Sequence, residues 1–301
     1  MIVVFGSIGI DFVTRVPTIP APGETVIGPA FEVFPGGKGA NQALAAARCG
    51  ADVQLAGAVG DDTSQEPALA LLKSAGVGLG AVASLAGART QTAFISIDQQ
   101  GQNAIAVALG ASLLARAQAL GSVSMEPGDI FLAQRELPDR ETARALSLAR
   151  AAGATTILNA APGTGFPGDL MDNVDILIVN EHEARDVSSA LNLETTNPVE
   201  AGIAIAKARR INVVVTLGHE GAALCGSEGV LSFPPFTVDV VDTTAAGDSF
   251  CGAFAAALAA GHNIGDAVRR GNAAGALACT KPGAQPSIPM KTEVDRLAGG
   301  D

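Results

Sequence analysis

The chain has 301 residues, of which 48% are hydrophobic, and a net charge of −11 at pH 7. Its length suits one large α/β domain or two smaller ones. The acidic balance argues against nucleic acid as a partner, because phosphate neutralisation needs clustered Lys and Arg. The four cysteines form no CxxC pair, and no apolar run reaches membrane-spanning length. We therefore expect a cytoplasmic protein without a membrane partner.

Short apolar, β-branched runs alternate with helical runs along most of the chain. This alternation predicts a mostly parallel sheet with helices on both faces, whose ligands bind beyond the carboxyl ends of the strands. The predicted strands are 2–5, 53–58, 130–133, 155–158, 176–179 and 213–217, and the predicted helices are 40–49, 67–75, 140–152, 181–191 and 198–210.

Two regions interrupt the alternation. Residues 12–34 are rich in Pro and Gly, and 91–98 and 103–109 read as strands joined by a turn at 99–102. We predict that these pieces form a small antiparallel sheet beside the main domain. Such a sheet can close over a substrate and exclude water, or it can be a plain hairpin decoration.

Polar residues follow the first predicted strand and open the first predicted helix. Asp11 lies where a carboxylate can hold sugar hydroxyls or simply cap a turn. The glycines of 36–42 (GGKGANQ) let the backbone approach a ligand, although Gly39 occupies the place where a P-loop needs Ser or Thr. Lys38 and Asn41 carry groups suited to a polyhydroxyl ligand. The alternative is a Gly-rich turn between a strand and a helix.

Three later loops carry weaker signals. Asn180 can cap the helix that follows it, and Glu183 can face a phosphate-bound Mg²⁺ through water. The loop 216–221 contains glycines that permit close approach to a nucleotide. The Pro- and Gly-containing loop 279–287 can hold a monovalent cation with its carbonyls, or can be a plain loop.

The most informative stretch is 242–248 (DTTAAGD), which separates an apolar, strand-like run at 236–241 from a helical run at 249–260. Small residues at a helix N-terminus aim several N–H groups at one point and add about half a positive charge. This geometry indicates a phosphate site. The carboxylate of Asp248 would repel a phosphate there, so its presence at this site indicates that it has a function. The evident role is to take a proton from a hydroxyl that attacks the phosphate.

These motifs occur in one order over nearly the whole chain, and together they resemble those of the ribokinase-like carbohydrate kinases, the PfkB family. The N-terminal signature is similar to 36–43 continuing to 60–62, the middle element to 180–183, and the C-terminal signature to 242–248. The resemblance implies one three-layer α/β sandwich domain over 1–301, with small β-sheet lid segments at about 12–35 and 90–110. It also implies ATP as phosphoryl donor, Mg²⁺ as the required metal, K⁺ as an activator, and a homodimer formed through the lid.

The resemblance further implies roles for individual residues, by position. Asp248 is then the general base, beside an anion hole formed by Ala245, Ala246 and Gly247. Sugar-binding positions are Asp11, Gly37, Lys38, Asn41, Glu136 and Asp248. Nucleotide-binding positions are Asn180, Thr216, Gly218, Gly221, Gly247 and Asn272. Glu183 serves Mg²⁺ through water, and the potassium positions are Asp242, Thr244, Ala278, Lys281, Gly283 and Ser287.

One departure bears on the acceptor. Gly9 stands where ribokinase-type members of the family commonly carry Asn. Loss of the Asn side chain can change how the protein discriminates between sugars. We expect ATP-dependent phosphorylation of a sugar hydroxymethyl group, with ribose to ribose 5-phosphate as the first expectation. The alternatives are a kinase for a ketohexose, deoxyribose or an adenosine-like nucleoside, and a non-catalytic sugar-binding regulatory protein. Asp248 and Gly247 argue against the last, because a pure binder needs no carboxylate beside a phosphate site.

Overall fold

The computed structural model describes residues 1–193, 195–227 and 229–299. The strands are β1 (Ile2–Phe5), β2 (Gly9–Arg15), β3 (Phe31–Gly36), β4 (Val53–Gly60), β5 (Gly78–Leu85), β6 (Gln91–Ile97), β7 (Asn103–Ala108), β8 (Ile130–Ala133), β9 (Thr155–Asn159), β10 (Ile176–Asn180), β11 (Asn212–Thr216), β12 (Ala222–Gly226) and β13 (Gly229–Phe233). The α-helices are α1 (Lys38–Arg48), α2 (Gln65–Ser74), α3 (Asp139–Ala151), α4 (Glu181–Ala190), α5 (Pro198–Arg209), α6 (Ala246–Ala259), α7 (Ile264–Ala278) and α8 (Lys291–Gly299).

The main sheet of the described chain has nine strands in the order β13-β12-β11-β10-β9-β8-β1-β4-β5. The seven strands from β11 to β5 are parallel, and β12 and β13 add an antiparallel hairpin at one edge. The predicted fold class is confirmed. All six strands predicted for this sheet are present, and β5 is the one parallel strand that we did not predict.

Helices cover both faces of the main sheet, as alternate residues of β1 illustrate. Ile2 and Val4 face the layer that contains α1, α2, α6 and α7, whereas Val3 and Phe5 face the layer of α3, α4 and α5. All four side chains are fully buried. A strand buried on both faces reads as a continuous apolar run, which is why β1 was recognisable in the sequence. Within the described ranges, no helix is both long and apolar enough to cross a membrane.

The small sheet has the strand order β3-β2-β6-β7, and it lies beside the carboxyl ends of β1 and β4. Its two outer pairings are antiparallel, but β2 and β6 pair in parallel, so the prediction of an entirely antiparallel sheet was wrong. The reason is topological. β2 follows β1 and β6 follows β5, and because β1 and β5 run in the same direction, their continuations do so as well.

The apolar run at 236–241 is not a strand, contrary to our prediction. Pro234 and Pro235 precede it, and proline cannot donate to a β-ladder. The run pairs with no neighbouring strand, and Thr237 and Val238 instead form part of a pocket wall.

Helices α1 and α6 pack against each other closely at Gly252. A Cβ atom placed on Gly252 would lie 2.4 Å from the Ala45 Cβ and 2.5 Å from the carbonyl oxygen of Gln42. Only glycine fits such a backbone approach without a shift. This contact brings together the first turns of α1 and α6, which carry Lys38, Asn41 and Asp248.

Candidate active site

Asp248 lies in the first turn of α6, and it is only 8% exposed. Two neighbouring side chains of α1 hold its carboxylate: Asn41 Nδ2 donates to Oδ2 and Gln42 Nε2 donates to Oδ1, both at 2.9 Å. Ala245 precedes the helix with a left-handed backbone (φ 60°), a conformation that glycine adopts more easily. The first N–H groups of a helix, here including that of Gly247, have no partner within it and can bind an anion.

The charge state of Asp248 is set by opposing effects. Burial raises the pKa of its carboxyl group, while Lys38 and the hydrogen bonds from Asn41 and Gln42 act in the opposite direction, with a net raised value. A carboxylate with a raised pKa accepts a proton from a hydroxyl more readily than an ordinary one. The environment of Asp248 therefore suits a general base.

A chain of side-chain amides extends behind Asp248. Besides its bond to Asp248, Gln42 Nε2 donates to Asn159 Oδ1 at 3.1 Å, and Gln42 Oε1 accepts from Gln134 Nε2 at 2.7 Å. Asn159 Nδ2 in turn donates to the Ile178 carbonyl oxygen at 3.2 Å. We did not predict Gln42 or Gln134 as site residues. The available signal was the position of Gln42 beside Asn41 in the GGKGANQ run.

The predicted sugar-binding residues surround one space next to Asp248. Glu136 is the common acceptor: its Oε2 receives hydrogen bonds from Ser7 Oγ at 2.5 Å, Gln91 Nε2 at 3.2 Å and the Lys38 backbone N at 3.3 Å. The Lys38 ammonium lies 3.9 Å from Glu136 Oε1. Asp11 belongs to β2 of the small sheet, so it does not simply follow the first strand of the main sheet, as we had assumed. Ser7 and Gln91 were not predicted.

Glycines allow the backbone to approach this space. Gly37 has a φ of 88°, and a Cβ on it would lie 2.9 Å from the Gly9 nitrogen. A Cβ on Gly36 would lie 2.4 Å from Asp11 Oδ2. These two positions therefore require glycine for space, and Gly37 requires it for conformation as well. The result is that Asp11 and Lys38 can flank the same cavity from two different elements.

Two ionisable groups here have shifted pKa values. Burial raises the pKa of Asp11 to about 7, and the charges of Glu136 and Asp248 act in the same direction, partly opposed by Lys38. For Lys38, burial would lower the pKa, but Asp248 and Glu136 outweigh it and the pKa is raised. The site thus concentrates carboxylate groups around the half-buried ammonium group of Lys38.

A second pocket, of about 590 Å³, opens on the other side of the α6 N-terminus. Five of the six predicted nucleotide-binding residues line it, namely Thr216, Gly218, Gly221, Gly247 and Asn272. The sixth, Asn180, lies in register with Thr216 on the adjacent strand. A larger open depression of about 990 Å³, lined by Asp175 and Asn212 among others, lies at the amino ends of β10 and β11, away from these residues.

Asn180 and Glu183 form a capping box at the start of α4. Asn180 Oδ1 accepts from the N–H groups of His182 and Glu183, and Glu183 Oε2 accepts from the Asn180 N–H at 2.9 Å. The predicted cap is confirmed. Burial raises the pKa of Glu183, with the Asn180 N–H and Lys38 opposing. One carboxylate oxygen of Glu183 has no hydrogen bond in the structure, so a metal-bound water can be accommodated there.

No group of three or more His, Cys, Asp or Glu side chains among the described residues could hold a metal ion. A magnesium ion in this site would therefore depend on phosphate oxygens and water, with Glu183 in an outer position. This arrangement fits Mg²⁺, which keeps several waters and is usually bound by only one or two carboxylates together with substrate phosphates.

The predicted cation residues are brought together in part. Asp242 Oδ1 accepts from the backbone N and the hydroxyl of Thr244, at 2.9 and 2.6 Å, and Oδ2 accepts from the Gly283 N–H at 2.9 Å. These hydrogen bonds outweigh burial and lower the pKa of Asp242. Ser287 Oγ donates to the Ala284 carbonyl oxygen at 2.8 Å.

The two remaining predicted cation positions, Ala278 and Lys281, are bonded to each other through the backbone. The Ala278 carbonyl oxygen accepts from the Lys281 N–H at 3.4 Å, while the Lys281 ammonium pairs with Glu293 at 3.2 Å, away from Asp242. A gap of about 20 Å³ separates Asp242 from the small sheet. This is enough space for one water-sized particle.

The small sheet also touches this loop directly. A Cβ on Gly283, which has a φ of 84°, would lie 3.1 Å from the ring of Phe34 in β3. The small sheet therefore contacts the loop whose Gly283 is bonded to Asp242.

The comparisons with known proteins assign the chain to the carbohydrate kinases. The family model "pfkB family carbohydrate kinase" matches residues 1–291, so the chain belongs to that family, whose members are phosphotransferases with an alcohol group as acceptor. Among curated proteins, the chain is 37% identical over 298 residues to the ribokinase of Bacillus subtilis (strain 168), covering 98% of each. It is 33% identical over 300 residues to the ribokinase of Staphylococcus aureus (strain COL), covering 98% of this chain and 99% of the other.

Solved structures give the same assignment. A ribokinase from Thermotoga maritima matches with a TM-score of 0.91 at 33% identity, covering 100% of this chain and 99% of the other. An Arabidopsis thaliana ribokinase complexed with ribose and ATP matches with a TM-score of 0.87 at 29% identity, with the same coverage. The family predicted from the sequence motifs is confirmed.

Proposed function

We propose that this protein transfers the γ-phosphoryl group of ATP to the hydroxymethyl group of ribose, giving ribose 5-phosphate and ADP. The observation that carries the proposal is the position of Asp248, which follows Gly247 of the 590 Å³ pocket and is bonded to Asn41 in the helical turn that begins with Lys38, beside Glu136. The relatives named ribokinase, one of them complexed with ribose and ATP, support ribose as the acceptor.

The reaction uses the two pockets together. The hydroxymethyl oxygen of the sugar forms a bond to the γ-phosphorus, and the bond from that phosphorus to the bridging oxygen of ADP breaks. The hydroxyl proton passes to the Asp248 carboxylate, which Asn41 and Gln42 hold in place. The N–H groups at the start of α6 stabilise charge on the transferring group. Phosphoryl transfer needs this positioning and charge stabilisation more than covalent chemistry.

Two ions complete the proposal. Mg²⁺ supplies positive charge to the phosphates when it is bound, and Glu183 is the residue here that would hold its water shell. K⁺ fits the loop of Asp242, Thr244 and Gly283, beside the anion hole formed by Ala245, Ala246 and Gly247. An ion there would hold that turn in its binding conformation.

We also propose that the protein is a cytoplasmic homodimer whose small sheets form the contact and act as lids. The supporting observation is one apolar face of that sheet: Phe31, Val33 and Phe94 share it by strand register and are all exposed. Phe31 and Phe94 flank Phe12, with ring centroids 5.6 and 5.9 Å away. Contiguous exposed apolar surface of this kind is characteristic of protein contacts.

The assignment of Asp248 is tested by Asp248→Asn. Turnover should fall by at least roughly 10²- to 10⁴-fold, the usual contribution of positioned acid–base catalysis. Ribose binding, measured by calorimetry, should largely persist. Asp52→Asn, at an exposed position before β4, serves as the matched control and should leave turnover unchanged. Near-normal ADP release by Asp248→Asn would refute the role of general base.

The acceptor is tested by ADP release from wild-type protein with ATP, Mg²⁺ and a panel of ribose, 2-deoxyribose, fructose and adenosine, with and without K⁺. We expect the highest kcat/KM with ribose and stimulation by K⁺. A higher kcat/KM with another acceptor would support the kinase activity but contradict ribose as the substrate. Binding of ribose without turnover of any acceptor would favour a non-catalytic sugar-binding protein.

A further inference from the structure

Gly9 and Gln91 face each other across the two central strands of the small sheet. They are direct partners in the parallel register of β2 and β6. A Cβ on Gly9 would lie 2.7 Å from the Gln91 carbonyl oxygen and 3.1 Å from its Cβ and Cγ atoms. The side chain of Gln91 therefore occupies the volume that a side chain at position 9 would need.

The carboxamide of Gln91 is buried but only half satisfied. Gln91 is 4% exposed, and its Nε2 donates to Glu136 Oε2 at 3.2 Å. Its Oε1 is buried and accepts no hydrogen bond from any described residue. Buried side-chain oxygens nearly always have a hydrogen-bond partner, so an orphaned one beside a cavity points to a ligand that supplies the donor.

The neighbours of Gln91 identify the kind of donor. Glu136, which fixes the Gln91 amide, is also bonded to Ser7 and lies 3.9 Å from the Lys38 ammonium. Asn41, whose Nδ2 is bonded to Asp248, likewise has a buried Oδ1 without a partner. Two orphaned amide oxygens among carboxylates and an ammonium group match a neutral ligand that carries several hydroxyl groups.

We propose that Gln91 is a sugar-recognition residue whose Oε1 accepts a hydrogen bond from a hydroxyl of the acceptor other than the one phosphorylated. The inference rests on the proposed function and deepens it. Gly9 of β2 has no side chain that could bind the sugar, and the carboxamide of Gln91 on β6 lies in its place. The acceptor must therefore carry a hydroxyl on the side of the pocket formed by Gln91 and Glu136.

The test compares wild-type protein with Gln91→Met, which keeps the length of the side chain and removes the amide. KM for ribose should rise at least about fivefold, in line with one lost hydrogen bond, with kcat within about twofold. Gln99→Met, at an exposed position in the turn between β6 and β7, is the matched control and should change neither constant.

A second comparison distinguishes sugar recognition by Gln91 from a purely structural role of its side chain. Each monodeoxy analogue of ribose that keeps the hydroxymethyl group is assayed with both proteins. For one analogue, which lacks the recognised hydroxyl, wild type and Gln91→Met should have equal kcat/KM. The role of Gln91 would be overturned if Gln91→Met lowered kcat/KM by the same factor with every analogue, or if the variant had an unchanged KM for ribose.

Wild-type protein provides a second test that does not depend on folding of the variant. If wild-type protein has the same kcat/KM for ribose and for all of these analogues, the inference fails even where Gln91→Met does not fold. Absence of turnover with ribose in wild type overturns the proposed function instead. Calorimetric binding of the same sugars to both proteins then tests Gln91 separately.

Discussion

At the residue scale, the orientation of Asp248 depends on α1 and on the amides behind it. Gln42 divides its two N–H donors between Asp248 and Asn159, and Gln134 fixes its oxygen. An amide held on both sides cannot flip, so it presents a donor to the carboxylate at all times. The geometry of the base is therefore established before any substrate binds, which is the condition under which electrostatic catalysis is most effective.

Asp11 gives a prediction about stability and pH. Its pKa of about 7 in the folded protein exceeds the ordinary value of 3.8, so between these values the folded state binds a proton that the unfolded state has lost. The contribution of Asp11 to the free energy of unfolding is fully present below about pH 3.8 and is lost as the pH rises through about 7. Asp11→Asn should therefore raise the melting temperature relative to wild type, by an amount that grows from pH 4 to 7 and then levels off.

Calorimetric melting curves of the ligand-free proteins at several pH values measure this difference. Asp98→Asn is unsuitable as a control because the Asp98 carboxylate accepts hydrogen bonds within its turn, whereas the exposed Asp52 carboxylate accepts none from the described residues. Asp52→Asn should show no comparable trend. A constant difference between Asp11→Asn and wild type at every pH would contradict the raised pKa.

At the element scale, the contact between α1 and α6 determines how Asn41 and Gln42 meet Asp248. In Gly252→Ala, the new methyl group would lie 2.5 Å from the Gln42 carbonyl oxygen, so the two helices must move apart. We expect destabilisation of roughly 1–3 kcal/mol, as for other overpacked cores, and a larger loss in kcat than in sugar affinity. Denaturant unfolding and steady-state kinetics measure the two effects.

Gly121→Ala is the control for that variant, because a Cβ at Gly121 meets no atom within 4 Å. Its stability and turnover should match those of wild type. If Gly252→Ala is as stable and active as Gly121→Ala, the close approach of α1 and α6 is not required for the geometry of the site.

Elements were predictable from the sequence where burial alone shaped the pattern. β1 and β8 were found to the residue, because runs of four apolar residues buried on both faces leave little ambiguity. The run at 236–241 has similar composition but no strand beside it, and a local pattern contains no information about partners. α7 was not predicted, since its glycines weaken the helical pattern. One of them, Gly271, is needed because a Cβ there would lie 3.0 Å from the Phe250 ring.

The same distinction applies to the site. Asp248 and Lys38 were identifiable because their motifs are continuous in sequence. The contact of Gln42 with Asp248 spans 206 positions and that of Gln91 with Glu136 spans 45, so neither could be read from local sequence. The nucleotide pocket was predicted from its glycines, but its volume depends on how the segment at 235–240 crosses the edge of the sheet.

At the scale of the whole molecule, the exposed apolar face of the small sheet leads to a prediction about assembly. We expect wild-type protein to sediment as a dimer, and Phe94→Glu to shift it to a monomer, because a buried, unpaired charge opposes the contact. Analytical ultracentrifugation measures both. Leu231→Glu, on the exposed edge strand β13, is the control and should stay dimeric. A monomeric wild type, or loss of the dimer in the control alone, would refute this interface.

The contact between Phe34 and Gly283 has a further consequence. Phe34 belongs to β3 of the small sheet and Gly283 is bonded to Asp242, so the proposed lid closure over a sugar and the proposed binding of an ion act on one shared contact. Coupled equilibria are reciprocal: the factor by which the ion strengthens sugar binding equals the factor by which the sugar strengthens ion binding. Affinity is then a property of the pair, and a dissociation constant for ribose has meaning only together with the concentration of monovalent cation.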